Sequence, residues 1–397
     1  MSAANTLTIT PLARTLTLAT YTSFVPIGIA TVLLGPMLPI LSVRWSMNYA
    51  QAGALFTAQY IASTCAVAVS GWLASRWGYR FAIKAGLILM SSGLGLLMVG
   101  PKWMGILCIA ASGAGLGLAV PAANLLVADA NPGRRSATLN LLNFFWSVGA
   151  VACPFLIAAA ARNHAIPLFL GAVSGVSLVI AAGIALMPVD VAEPSASGKS
   201  EPEILPLVRT KSLSFTVLAA LFFLYVGMEN GFGGWIASYS KSLGKLTPTV
   251  AVMTPSVFYA AMTFGRWLAP LLLRAAGEIK LVQGGLLLSC AGMAGLVFSS
   301  GLPGVLASAC SAGLGLSYVY PITISLLSKE FASARIGSVM FVLSNIGGGL
   351  LPWIVGVSST RFGTLKAGLL IPLLACSLMF LLYLGPWTRA MVEQPSE

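Results

Sequence analysis

Apolar residues fall into twelve long runs with short polar breaks between them. The runs cover about 17–41, 50–73, 81–99, 104–127, 137–160 and 166–187, then 213–238, 249–272, 280–298, 303–327, 336–358 and 366–384. An α-helix needs roughly 20 mostly apolar residues to cross the hydrocarbon of a bilayer, and each run is near that length. Backbone groups have no water partner in lipid, so such runs read as membrane helices. The pattern predicts an all-α transmembrane protein of twelve helices. It divides into a six-helix bundle over 1–187, a linker over 188–211 and a second six-helix bundle over 212–397. The centre of the linker, Glu193-Pro194-Ser195-Ala196-Ser197-Gly198-Lys199, is small and polar, a composition that cannot bury a core.

The halves repeat each other. Ala114-Gly115-Leu116-Gly117-Leu118 recurs as Ala312-Gly313-Leu314-Gly315-Leu316, and each is followed by a proline, Pro121 and Pro321. Gly149 and Pro154 recur as Gly347 and Pro352, and Trp72-Leu73-Ala74 recurs as Trp267-Leu268-Ala269. Three matches in one order point to duplicated, pseudo-symmetric halves. Parallel repeats of this kind place a substrate site between the bundles near the midplane.

Composition agrees with the pattern. The 397 residues are 57% hydrophobic and 8% charged, with a mean hydropathy of +0.91; soluble domains carry about 25% charged residues. Lipid must solvate the excess. The net charge of +12 does not indicate nucleic acid, because the basic residues are scattered between apolar runs and form no stripe. Their distribution orients the chain. One side of the proposed membrane holds Arg44, Lys102, Arg162, Lys241, Lys245, Arg361 and Lys366, and the other side holds the remaining fifteen of 22. The positive-inside rule then puts both termini in the cytoplasm, and a plasma (inner) membrane is expected. The first run follows Arg14 without a small-residue cleavage site, so it is expected to stay as a membrane helix.

The six cysteines, Cys65, Cys108, Cys153, Cys290, Cys310 and Cys376, lie in separate apolar runs without CxxC spacing, and His164 is the single histidine. They read as small core residues. No metal, cofactor or enzymatic nucleophile–base pair is expected.

Of the ten acidic residues, only Glu229 lies deep within an apolar run. A charge there costs about 3 kcal/mol or more and usually faces a polar cavity. Glu229 is therefore a candidate proton or sodium site, or a hydroxyl acceptor; the structural alternative is a carboxyl paired with Asn230. Asn230-Gly231-Phe232-Gly233-Gly234-Trp235 follows. Its glycines weaken the helix, either to break it at a cavity or to let helices pack closely. Tyr225 and Glu229 share a face by i, i+4 spacing. Other spans carry narrow polar stripes: Gln59 on the second, Asn124 on the fourth, Asn140, Asn143 and Phe144 on the fifth. Tyr259 lies on the eighth, Tyr320 on the tenth and Asn345 on the eleventh. Amides both donate and accept, and aromatic faces suit the apolar face of a sugar ring. With Tyr225, Glu229, Asn230 and Trp235 these form the candidate substrate-binding set; hydrogen bonding between helices is the alternative use.

The loop Gly71-Trp72-Leu73-Ala74-Ser75-Arg76-Trp77-Gly78-Tyr79-Arg80 resembles the signature loop of the major facilitator superfamily, with Ser75 where that family usually has Asp. Gly35-Pro36-Met37-Leu38-Pro39, Leu139 to Phe145, Tyr225 to Glu229 and Phe264-Gly265-Arg266 resemble its fucose–galactose–glucose symporter and sodium-dependent glucose transporter-like branch. Symporters of that branch carry acids in the first and fourth helices. Here the first helix has none, and Val120 stands four residues before Asn124, where the second would fall. The resemblance implies gating salt bridges at the inner face, with Arg76, Arg80, Asp129, Arg266 and Glu330 as candidates. It also implies alternating-access transport of a monosaccharide, with Na+ or H+ acting through Glu229. A proton-driven exporter of drugs or metabolites and a substrate sensor are the other readings. The expected partners are the solute, the ion and the bilayer, with no nucleic acid, and the protein is expected to be a monomer.

Overall fold

The computed structural model describes residues 11–131, 135–187, 209–331 and 333–385. Most of the linker, Arg134 and the C-terminal tail lie outside the described residues. Among those described, fifteen helical segments assemble twelve spans. The first half contains α1 (Pro11–Val32), α2 (Leu34–Arg44), α3 (Tyr49–Trp77), α4 (Tyr79–Leu96), α5 (Lys102–Ala130), α6 (Arg135–Arg162) and α7 (Ile166–Leu186). The second contains α8 (Ser212–Gly233), α9 (Ile236–Ser242), α10 (Pro248–Ala276), α11 (Glu278–Phe298), α12 (Leu302–Leu316), α13 (Val319–Glu330), α14 (Ala334–Phe362) and α15 (Leu365–Leu384). Among the described residues, eleven helices are long and apolar enough to cross a membrane. Arg80 and Lys84, near the start of α4, leave that twelfth span more polar than the rest.

Three spans are each built of two segments, and their sequences explain why. Pro36 has no N–H to offer the carbonyl one turn back, and α1 gives way to α2 at Leu33. Pro321 likewise cannot bond the Ser317 carbonyl, and α12 ends at Leu316 before α13 begins. The glycines at 231, 233 and 234 weaken the seventh span, which breaks between Gly233 and Ile236. The expected break is therefore present, and the glycines also serve close packing. Gly35 and Gly234 lie backbone to backbone, where a Cβ on Gly35 would come within 2.9 Å of the Gly234 Cα.

The halves pack alike. A Cβ at Gly149 would collide with the Val25 carbonyl, and one at Gly347 with the Phe223 carbonyl. Gly78 and Gly277 turn α3 into α4 and α10 into α11 with φ of 81° and 73°, values that favour glycine. The contacts also correct the register of two sequence matches. Gly113 packs on the Gln59 carbonyl and Gly313 on the Phe258 carbonyl, so Gly113 matches Gly313 and Gly115 matches Gly315. With Gly78 matched to Gly277, the Trp-Leu-Ala match is displaced by one helical turn.

Arg44, Lys102, Arg162, Lys241, Lys245, Arg361 and Lys366 share one end of the bundle, here termed the far side; the other end carries the linker. The halves meet toward the far side. The Ala50 N–H donates to Thr360 Oγ1 (2.8 Å), Thr57 Oγ1 to the Gly349 carbonyl (3.0 Å) and Lys241 Nζ to the Pro39 carbonyl (3.2 Å). Ser256 Oγ donates to the Val151 carbonyl (3.0 Å). On the linker-side stretches of α6, α10 and α14, Phe144, Trp267 and Phe341 are exposed. The hydrogen bonds that join the halves thus cluster toward the far side.

Candidate substrate cavity

Glu229 sits on α8, in the middle of the assembly. Protein surrounds it, yet the residue keeps accessible surface, as a side chain facing an internal cavity does. Among the described residues its carboxyl makes no hydrogen bond and no ion pair. Its electrostatic neighbours are Tyr60 of α3, Tyr225 of α8, Tyr259 and Arg266 of α10, and Tyr320 of α13. Tyr225 stacks on Tyr320 with ring centroids 4.9 Å apart and donates its hydroxyl to the Leu316 carbonyl (3.3 Å). Phe222 meets the same Tyr320 ring edge-on at 5.5 Å. Tyr60 comes from the first half and lies beside Asn230. It fits because Gly348 has no Cβ, which would come within 2.6 Å of the tyrosine ring.

Arg266 is the residue that the sequence reading misplaced. It was expected at the linker-side gate but lies well inside α10, half-buried. Its Nε donates to the Ser317 carbonyl (3.3 Å), the carbonyl that Pro321 leaves without a helical donor. Its Nη2 approaches the Met262 sulfur at 3.3 Å, and its guanidinium lies 5.9 Å from the Trp146 ring of the first half. The signal was available: α10 continues to Ala276, and a basic residue inside an apolar span is as uncommon as an acidic one. Tyr60, next in sequence to Gln59, was also missed.

The amides share one arrangement. Nδ2 of Asn124, Asn143 and Asn230 donates to the carbonyl four residues back, on Val120, Leu139 and Val226, at 2.8, 3.0 and 2.9 Å. A carbonyl acceptor fixes which end of each amide is the donor, so each Oδ1 is turned away from its own helix. Asn140, Asn143 and Phe144 are exposed on α6, and Asn345 is half-buried on α14. Tyr259 is buried beside Glu229.

Two expected contacts lie elsewhere. Gln59 is buried inside the first half, lining a small cavity with Leu33, Leu34 and Ser112. Trp235 is fully buried at the far-side closure; its Nε1 donates to the Pro352 carbonyl (3.1 Å) and its ring meets Tyr49 edge-on. These positions remove both from the cavity. The remaining gate candidates stand at the linker side. Asp129 accepts from the Tyr79 hydroxyl (3.0 Å), Arg80 donates to the Ile184 and Met187 carbonyls (2.8 and 2.6 Å), and Glu330 pairs with Lys211 (3.3 Å). Arg76 lies over Trp77 at 5.9 Å. The cysteines depart from the expected pattern too: Cys65 is exposed, and Cys290 and Cys376 meet between α11 and α15.

Two matched six-span bundles around a polar pocket define a membrane transporter. The chain belongs to the major facilitator superfamily, whose model matches residues 20–357. It is 25% identical over 306 residues to an uncharacterised MFS-type transporter of Yersinia pestis, covering 77% of this chain and 78% of that one. Among solved structures it is similar to a bacterial homologue of the human lysosomal transporter Spinster in an inward-facing, unoccupied conformation. That match has a TM-score of 0.75 and 15% identity, and covers 98% of this chain and 100% of that chain. The nucleoside transporter NupG matches with a TM-score of 0.71 and 13% identity, over 97% and 100%. The Escherichia coli fucose:proton symporter matches with a TM-score of 0.65 and 19% identity, over 95% and 98%. At these identities the structures establish the fold.

Proposed function

We propose that this transporter carries a monosaccharide by alternating access, coupled to Na+ or H+ through Glu229. The observation that carries the reading is Glu229 itself: a carboxyl at mid-span, facing a cavity, with no hydrogen bond or ion pair among the described residues. An unpaired charge in that position is costly unless it serves a ligand. Around it, tyrosine rings offer faces for a sugar ring, and the outward-turned oxygens of Asn124 and Asn230 offer acceptors for hydroxyls. The fucose:proton and D-xylose–proton symporters among the fold relatives support a sugar on a frame of this kind. The excess of basic residues at the linker end supports a cytoplasmic linker side and cytoplasmic termini. In that orientation the contacts between the halves lie toward the outside of the cell.

Uptake of labelled monosaccharides into proteoliposomes tests this reading. Saturable uptake that rises with an imposed sodium or proton gradient is expected. No saturable uptake of any monosaccharide, with or without a gradient, would refute it. Sugar binding by thermal shift without uptake would instead indicate a sensor.

A further inference from the structure

The pocket holds a second charge besides Glu229, and both are half-buried. Arg266 and Glu229 are the charged side chains that the described spans carry deep in their interior; the others stand at helix ends, in the first two turns or in loops. The two sense each other electrostatically but form no ion pair. A guanidinium has five N–H donors. Nε–H is used on the Ser317 carbonyl, and Nη2 approaches the Met262 thioether, a weak acceptor. The Tyr225 hydroxyl is the other side-chain acceptor within reach of the guanidinium, a neutral one, and no carboxylate pairs with Arg266 among the described residues. The bond to Ser317 anchors the guanidinium at the C-terminal end of α12, where the helix dipole is negative. Neutral partners use only part of its five donors, which leaves N–H groups for an anionic ligand. A half-buried guanidinium whose partners are all neutral fits a carboxylate, which it can hold with two parallel bonds.

The geometry points to an anionic substrate: a sugar acid whose carboxylate is held by Arg266 while its hydroxyls meet Asn124, Asn230 and the tyrosines. This rests on the monosaccharide reading above and narrows it. It also gives Glu229 a defined role. When Glu229 is an empty carboxylate it offsets the field of Arg266. When it holds its coupling cation, the positive charge of Arg266 is uncompensated and attracts the anion. Cation and substrate therefore load together. The charged and titratable groups facing Glu229 are Tyr60, Tyr225, Tyr259, Arg266 and Tyr320, with Cys153 of α6 beside Tyr259.

The test is competition and uptake with the full-length protein in proteoliposomes, comparing gluconate and glucuronate with glucose and galactose. The sugar acids are expected to be taken up saturably and to outcompete the neutral sugars. Arg266→Gln is expected to weaken acid recognition roughly 30-fold, the scale for losing one partner of a buried charged hydrogen bond, and neutral-sugar recognition far less. Melting curves establish that the variant is folded; if it is not, the wild-type preference decides alone. Saturable uptake of neutral sugars without recognition of either acid overturns the anion assignment and leaves monosaccharide transport standing. A folded Arg266→Gln protein that recognises acids as the wild type does also overturns it. No uptake of either class removes both readings.

Discussion

At the level of single residues, neighbours in sequence take opposite roles. Gln59 packs within the first half while Tyr60 reaches the second. Asn230 lies at the pocket while Trp235, one and a half turns on, seals the far side. Helical periodicity shows which residues share a face, but not which face meets the cavity. For that reason the sequence marked Glu229, Asn230 and Tyr320, which the structure brings near one another, alongside Gln59 and Trp235, which it places elsewhere. Arg266 was misread because basic residues near the end of an apolar run were counted with the loops. The distinction is measurable. Asn230→Leu removes an acceptor from the pocket and is expected to raise the KM for transport roughly fivefold, the effect of about 1 kcal/mol for one hydrogen bond. Gln59→Leu is expected to leave KM unchanged and to alter only the melting temperature. An equal effect of both on KM would contradict this placement.

At the level of helices, hydropathy located all twelve spans to within a few residues at most ends. The extra length at both ends of the first span and in the seventh was missed, because polar residues extend those helices beyond their apolar runs. The internal repeat was also legible, but its register was not. Glycine-rich helices repeat every few residues, so a sequence match can slip by two or four positions; the backbone approaches at Gly113, Gly115, Gly313 and Gly315 settle it. Such approaches leave no room for a methyl group. Gly347→Ala would drive a Cβ into the Phe223 carbonyl between α8 and α14, and overpacking of this kind costs about 1–3 kcal/mol. A lower melting temperature of the purified protein is expected, whereas Gly171→Ala on α7, where a Cβ meets nothing, should be neutral. A Gly347→Ala protein as stable as the wild type would show that α8 and α14 are not packed this closely.

At the level of the whole molecule, the two bundles touch toward the far side through small residues and single hydrogen bonds. Gly53 packs on Pro352 and Trp353, Gly349 on Thr57 and Tyr60, and Gly356 on Tyr49. Contacts of this kind can be exchanged for others at small cost, as rocking bundles require. Spin labels at Lys102 and Lys366 report the far side, and labels at Lys84 and Lys280 the linker side. Saturating substrate and coupling ion are expected to shift the population so that the linker-side distance shortens and the far-side distance lengthens. Distances that stay fixed in both pairs would contradict alternating access.

The central claim is that Glu229 ties the movement of the ion to that of the solute. Its most direct test is solute accumulation in proteoliposomes under an imposed sodium or proton gradient, comparing the wild type with Glu229→Gln. The wild type is predicted to concentrate solute against its gradient, while Glu229→Gln retains exchange but reaches only equal concentrations on the two sides. A Glu229→Gln protein that accumulates solute as well as the wild type would contradict the account.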